Sequence, residues 1–199
     1  MLKLVRLLRR GTVICATVAG LMGATAACRN GASGTAPSAS SEHTPAPPPG
    51  FRHVVAAGWS LAIPASFVPA LSGPTRSNQT FLIYQGNDAA PGAPRILFSR
   101  HTKPAEFPSR VFGLTALDGL QRKGDKRVVS SRQHQALGVD VTDIEVLVGE
   151  SPNARFQWRR LFVLDNVAYT LTYSVAEAEA PRHRSTAQTV LASLRPVPN

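Results

Sequence analysis

Val167, Tyr169, Leu171, Tyr173 and Val175 alternate with Ala168, Thr170, Thr172 and Ser174. A period of two over that length specifies a strand with one buried face and excludes a helix. Just before it, Phe156, Trp158, Phe162 and Leu164 share one parity, and Asp165-Asn166 separates the two runs. Together they predict a hairpin closed by a two-residue turn. Further upstream, Val139 and Val141 change parity to Ile144, Val146 and Val148, which predicts a strand with a bulge near Thr142 and Asp143. Shorter strands are predicted over 59–63, 81–85, 95–102 and 126–133.

Two helices fit among these strands. Ala187, Val190, Leu191 and Leu194 follow the spacing of one helical face, with Pro181 at its start and Pro196 as its stop. A second helix over 107–121 is expected to turn Val111, Leu114 and Leu117 inward, although Gly113 interrupts it. Consecutive strands with short connections imply an α+β fold, a mainly antiparallel β-sheet flanked by two or more helices.

The start of the chain has a different character. Lys3, Arg6, Arg9 and Arg10 precede an apolar run over 12–22 that ends in Gly23-Ala24-Thr25-Ala26-Ala27-Cys28. This is the layout of a bacterial export signal, and its apolar part is shorter than the ~20 residues a membrane span needs. The small-small-Cys ending resembles the lipobox of bacterial lipoproteins, in which the chain is cut before the cysteine and its sulfur takes a diacylglycerol thioether. That resemblance implies cleavage between Ala27 and Cys28 and lipidation of Cys28. Thr25 stands where lipoboxes usually carry an aliphatic residue, so ordinary secretion with a bare thiol is the alternative. Cys15 follows bulky Ile14 and is a poor lipid site, and Arg9-Arg10 lacks the rest of a twin-arginine signal. Both cysteines lie in this region, leaving none downstream for an internal disulfide.

The stretch 29–50 contains no Leu, Ile, Val, Phe, Tyr or Trp and ends in Pro45-Ala46-Pro47-Pro48-Pro49-Gly50. It has nothing to bury, and its proline end reads as a stiff spacer. The expected organisation is therefore a lipoprotein signal peptide at 1–27, a lipidated Cys28 and tether at 28–50, and one globular domain at 51–199. Losing the signal removes four of the 22 basic residues and leaves 18 against 12 acidic, a net charge of +6 instead of +10.

Gly58-Trp59-Ser60-Leu61-Ala62-Ile63-Pro64, the run Arg160-Leu161-Phe162-Val163-Leu164 leading to Tyr169 and Tyr173, and the ending Val190-Leu191-Ala192-Ser193-Leu194 resemble the PsbP-like fold. Within it the chain is most similar to the LpqN-type lipoproteins of actinobacterial envelopes. The resemblance spans about 51–196. It implies an antiparallel sheet flanked by helices and a role in binding or assisting other proteins, with no catalytic residue to carry over.

Residue patterns that would carry chemistry are weak. Gly58-Trp59-Ser60-Leu61-Ala62 lacks the second glycine of a nucleophile elbow. His43, His53, His101, His134 and His183 are scattered without metal-ligand spacing, and no phosphate-cradling loop precedes a helix. Asp140, Asp143, Glu145 and Glu150 lie along one predicted strand, with Asp143 and Glu145 on one face. They are read as its solvated side, paired across the sheet with Arg155 and Arg159. Arg122, Lys123, Lys126, Arg127 and Arg132 form a basic cluster without interleaved aromatic residues, which argues against nucleic acid and suits anionic headgroups or acidic wall polymers. The expectation is a non-enzymatic protein without cofactor or metal, lipid-anchored on the extracytoplasmic face of the cell membrane. Its domain is a binding or accessory module for a protein or envelope component. The alternative is a carrier of an apolar ligand between sheet and helix, with Trp158, Phe162, Tyr169 and Tyr173 lining either a solid core or a pocket.

Overall fold

The computed structural model describes residues 46–70, 78–86, 92–101 and 107–197. The elements run β1 (Phe51–Ala56), β2 (Trp59–Pro64), β3 (Val68–Pro69), β4 (Asn78–Gln85), β5 (Arg95–His101), α1 (Ser109–Gln121), β6 (Lys126–Ala136), β7 (Val139–Val148), β8 (Arg155–Leu164), β9 (Val167–Ala176), α2 (Ala180–Ser193) and β10 (Arg195–Pro196). The fold is α+β and every strand pairing is antiparallel: a seven-stranded sheet of order β3-β4-β5-β9-β8-β7-β6 and a small sheet of order β1-β2-β10. The predicted hairpin is present, with Leu164 opposite Val167 and both Asp165 and Asn166 at positive φ. That backbone twists with the strands it joins, and Asp and Asn tolerate it better than most residues. Leu137-Gly138 closes β6–β7 and Ala57-Gly58 closes β1–β2 in the same way.

β1 was not expected from the sequence. FRHVVA has no clean alternation, because only Val54 of this edge strand is buried while Val55 is 67% exposed. The two-residue strands β3 and β10 were equally unreadable. β10 includes Pro196, which stops α2 as expected and then pairs with Trp59 of β2.

The larger sheet carries cover on both faces. One face holds Trp158, Phe162, Leu171, Tyr173 and Val175, packed with Trp59, Leu61 and Ile63 of β2 and with Ala187, Val190, Leu191 and Leu194. This is the α2 face predicted from its spacing. The aromatic rings fill that layer: Trp59 lies 5.1–5.6 Å from Phe98, Phe162 and Tyr169, and Phe162 stacks on Tyr169 at 5.2 Å. Phe162, Tyr169 and Tyr173 of the hairpin therefore belong to a packed core, while Trp158, also buried in it, borders a concavity beside α2. On the opposite face, α1 covers a smaller cluster of Leu120, Ile144, Val146 and Leu161.

Two-sided cover explains the parity change in β7, and the expected bulge near Thr142 and Asp143 is absent. Pairing with β8 runs unbroken from Thr142 to Val148. Val139 and Val141 face the α2 layer, whereas Ile144 and Val146 face α1 on the other side of the same regular strand. The irregularity lies in β6, between Val128 and Ser130, where Val129 is left without a partner and is 48% exposed.

The inner side of α1 also differs from expectation. Val111 and Leu114 are exposed, while Ser109, Gly113 and Leu120 are buried and Phe112, Ala116 and Leu117 pack beside them. Gly113 sets this rotation. A Cβ there would stand 1.9 Å from Thr142 Oγ1 and 2.6 Å from Thr142 Cβ, so the helix backbone rests directly on β7. Ser109 fixes the helix start: its hydroxyl donates to the Asp140 carbonyl and accepts the Val163 N–H at 2.9 Å. The helix that glycine seemed to interrupt is thus seated by it.

Gly113→Ala is expected to lower the free energy of unfolding by about 1–3 kcal/mol through overpacking against Thr142. Gly119→Ala on the same helix places its Cβ in open space and is expected to raise it by about 1 kcal/mol. Urea titration of both variants beside the wild type checks the contrast, and equal effects would refute the seating of α1 on Thr142.

Candidate functional site

Two concavities flank the middle of the seven-stranded sheet. The first, of about 400 Å³, lies between β6–β8 and α2 and is built on Asp143 and Arg160, directly opposed across β7 and β8. Arg160 donates from Nε and Nη2 to the two Asp143 oxygens at 2.8 Å each, and from Nη1 to the Leu191 carbonyl of α2. His134 of β6 adds a contact to Asp143 at 2.9 Å. Glu145 pairs with Arg184 of α2 at 2.7 Å. A bidentate pair with every guanidinium nitrogen engaged is a strong clamp, and here it joins three strands to a helix.

This arrangement corrects the expected charge pairing. Asp143 and Glu145 do not form a solvated side, and Arg155 and Arg159 are not their partners. Both carboxylates share the face of Val139 and Val141 and lie half-buried under α2. Arg155 instead donates to Ser174 and to the Ala93 carbonyl. Burial alone would raise the Asp143 carboxyl, but the hydrogen bonds and charge of Arg160, then those of His134, outweigh it and hold Asp143 below the usual carboxylate range. Arg160 was overlooked although it left a signal: it is the one cation at the parity of Phe156, Trp158, Phe162 and Leu164. On the same layer the Tyr173 hydroxyl, pushed up by burial, lies 2.8 Å from His183 Nδ1. The Trp158 indole N–H is buried with no acceptor among the described residues.

The second concavity is a groove of about 510 Å³ on the opposite face, between α1 and the part of the sheet that α1 leaves uncovered. Its apolar surface includes Leu97, Phe112 and Leu161, and its hydroxyls come from Thr115 of α1 and from Ser99, Thr170 and Thr172 of the sheet. Lys123 and Lys126 lie where α1 hands over to β6, and Arg159 lines the sheet beside them. Among the described residues Arg159 bonds only to Gln157 Oε1, two positions along its own strand, and has no carboxylate partner. Desolvation lowers its pKa, yet a guanidinium stays charged at any physiological pH. His101 packs edge-on against Phe112 at 5.3 Å, and burial lowers its pKa and favours its neutral form. Among the described residues no acidic side chain lines the groove.

The five expected basic residues do not form one surface. Arg122 pairs with Asp118 at 2.7 Å, Lys123 and Lys126 line the groove, and Arg132 borders the α2 concavity. Ala27 and Cys28, the expected cleavage and lipidation positions, lie outside the described residues, as do Cys15, Thr25 and His43. Among the described residues no three His, Cys, Asp or Glu side chains converge in a metal-holding group, and no helix is long and apolar enough to cross a membrane.

The depressed Asp143 pKa fixes the sign of one pH effect. Its stabilisation is complete above the unfolded value of about 3.9 and is lost as pH falls through the lower folded value. Asp143→Asn strands the buried Arg160 charge and is expected to cost about 3 kcal/mol at pH 7. Urea unfolding of wild type and variant at pH 7 and pH 3 is expected to show the gap narrowing on acidification, and a constant gap would refute the clamp.

No family model matches the sequence, and no curated protein does. Among solved structures, the fold is similar to that of LpqN, involved in cell envelope biogenesis of Mycobacterium tuberculosis, at TM-score 0.55 and 12% identity over 74% of this chain and 91% of that one. It is similar to the cyanobacterial PsbP of Synechocystis at TM-score 0.52 and 13% identity, over 74% and 92% of the two chains. It is also similar to a Pseudomonas aeruginosa protein of unknown function at TM-score 0.52 and 12% identity, over 75% and 99%. Identities this low speak to architecture alone, and the architecture of the described residues is the PsbP-like α+β fold.

Proposed function

We propose that this chain is exported, cut between Ala27 and Cys28, and lipidated on Cys28, and that it displays a non-catalytic binding or accessory module on the extracytoplasmic face of the cell membrane. The module's partner is a protein or another envelope component, such as an anionic polymer. The observation that carries the binding role is the groove beside α1. There one sheet face is left partly open and offers apolar, hydroxyl and cationic groups on rigid strands and a helix. A mostly preformed concavity with a few placed polar groups is what a binding site requires. The similarity in fold to a protein involved in cell envelope biogenesis supports the same setting.

The second reading, a carrier of an apolar ligand, is favoured by Leu97, Phe112 and Leu161 in that groove; of the aromatic hairpin, Trp158 borders the other concavity, beside α2. For the anchor, each buried methylene contributes about 0.8 kcal/mol, so one acyl chain holds marginally and two hold firmly. A diacylglyceryl group on Cys28 makes attachment lasting, and the proline-rich stretch that follows spaces the domain from the lipid.

Fractionation of expressing cells, with intact mass of the extracted protein, tests this. Wild type is expected in the membrane fraction, beginning at Cys28 with added acyl mass. Cys28→Ala is expected to leave the membrane fraction. A wild-type protein that starts beyond Cys28, or carries a bare thiol, refutes the anchor.

A further inference from the structure

We propose that the groove between α1 and the open part of the seven-stranded sheet holds a single-chain anionic amphiphile, its carboxylate head on Arg159 and its chain along Leu97, Phe112 and Leu161. This deepens the binding role proposed above and rests on it.

The charge argument comes first. Arg159 sits opposite Ile144 on one side and Thr172 on the other, in the interior of the sheet and not at its rim. A partly desolvated cation is costly unless an anion shares its site, and the only hydrogen bonds of its guanidinium among the described residues go to Gln157 Oε1. Across the other face of the same strand, the neighbouring Arg160 is fully matched by Asp143 and the Leu191 carbonyl. Two adjacent arginines thus receive opposite treatment, and the unmatched one faces the open groove. Its planar fork fits a carboxylate in two-point fashion. Lys123 and Lys126 strengthen the positive field, and among the described residues no acidic side chain lines the groove to cancel it.

The shape argument is independent. Leu97 is 36% exposed in mid-strand, and Phe112 and Leu161 continue an apolar surface from it towards α1. A volume of about 510 Å³ lies in the range of sites for small organic ligands. Gly119 borders the groove, and a Cβ there would meet nothing within 4 Å. Glycine near the end of a helix costs about 1 kcal/mol relative to alanine, and here it keeps the space clear. Charge selects an anion, and the surface beside it selects one that carries a chain.

The experiment is calorimetric titration of the full chain bearing Cys28→Ala, so that no attached lipid competes, with laurate, dodecyl maltoside and acetate below any micellar concentration. Laurate is expected to bind one-to-one. Dodecyl maltoside, with the same chain and a neutral head, is expected to bind at least about tenfold more weakly, and acetate not to saturate in the same range. Arg159→Gln is expected to weaken laurate at least about tenfold. Gly119→Leu is expected to abolish binding by filling the groove while its thermal midpoint stays level or rises, which separates blockage from misfolding. Equal affinity for dodecyl maltoside, saturable binding of acetate, wild-type binding by Gly119→Leu, or no binding of laurate each overturns the proposal. Failure here leaves the fractionation result standing, and failure of the anchor leaves these titrations standing.

Discussion

Everything in this domain depends on a sheet that must be covered on two sides at once. β8 and β9 form its middle, and apolar groups lie on both faces of that hairpin. The aromatic face is sealed by β2 and α2. The reverse face is only partly sealed, by a single helix held where its backbone meets Thr142. Burial of apolar area drives both contacts, but their extents differ, and the difference leaves a groove on one side and a closed interior on the other.

The ion-pair clamp follows from the same geometry. A carboxylate and a guanidinium that point into a covered layer are costly separately, and the antiparallel register of β7 and β8 sets Asp143 against Arg160 so that neither is alone. By reaching the Leu191 carbonyl, Arg160 also occupies a backbone acceptor near the end of α2 that its helix leaves open. One register therefore settles strand pairing, helix docking and charge neutralisation together.

Most of the longer strands and α2 are legible in the sequence because their periods of two and 3.6 are set by backbone geometry, and the hairpin at Asp165-Asn166 because those residues suit positive φ. It obscured whatever depended on which layer lay above. The shift from Val141 to Ile144 looked like a defect in one strand and is the trace of two cores. Val111 and Leu114 obeyed helical spacing, yet the contact of Gly113 with Thr142 outranked them. Arg160 stood openly in an apolar stripe and Asp143 in another, but only the register joins them. Of the groove, the sequence shows Lys123 and Lys126 within one basic cluster and Arg159 apart from it, on a strand. Their meeting with Leu97 and Phe112 from distant parts of the chain required the fold.

The strand order has a kinetic side. β6 to β9 form a meander in which each strand pairs with its sequence neighbour, so its contacts close over short stretches of chain. β5 joins that meander only through β9, setting Arg95 against Ser174 and Arg100 against Tyr169 across all the intervening elements. The entropy of loop closure in the large sheet is concentrated at this one seam. The groove borders it, with Leu97 and Ser99 on one strand and Thr170 and Thr172 on the other, so the groove is complete only once the pairing of widest sequence separation in the central sheet has closed.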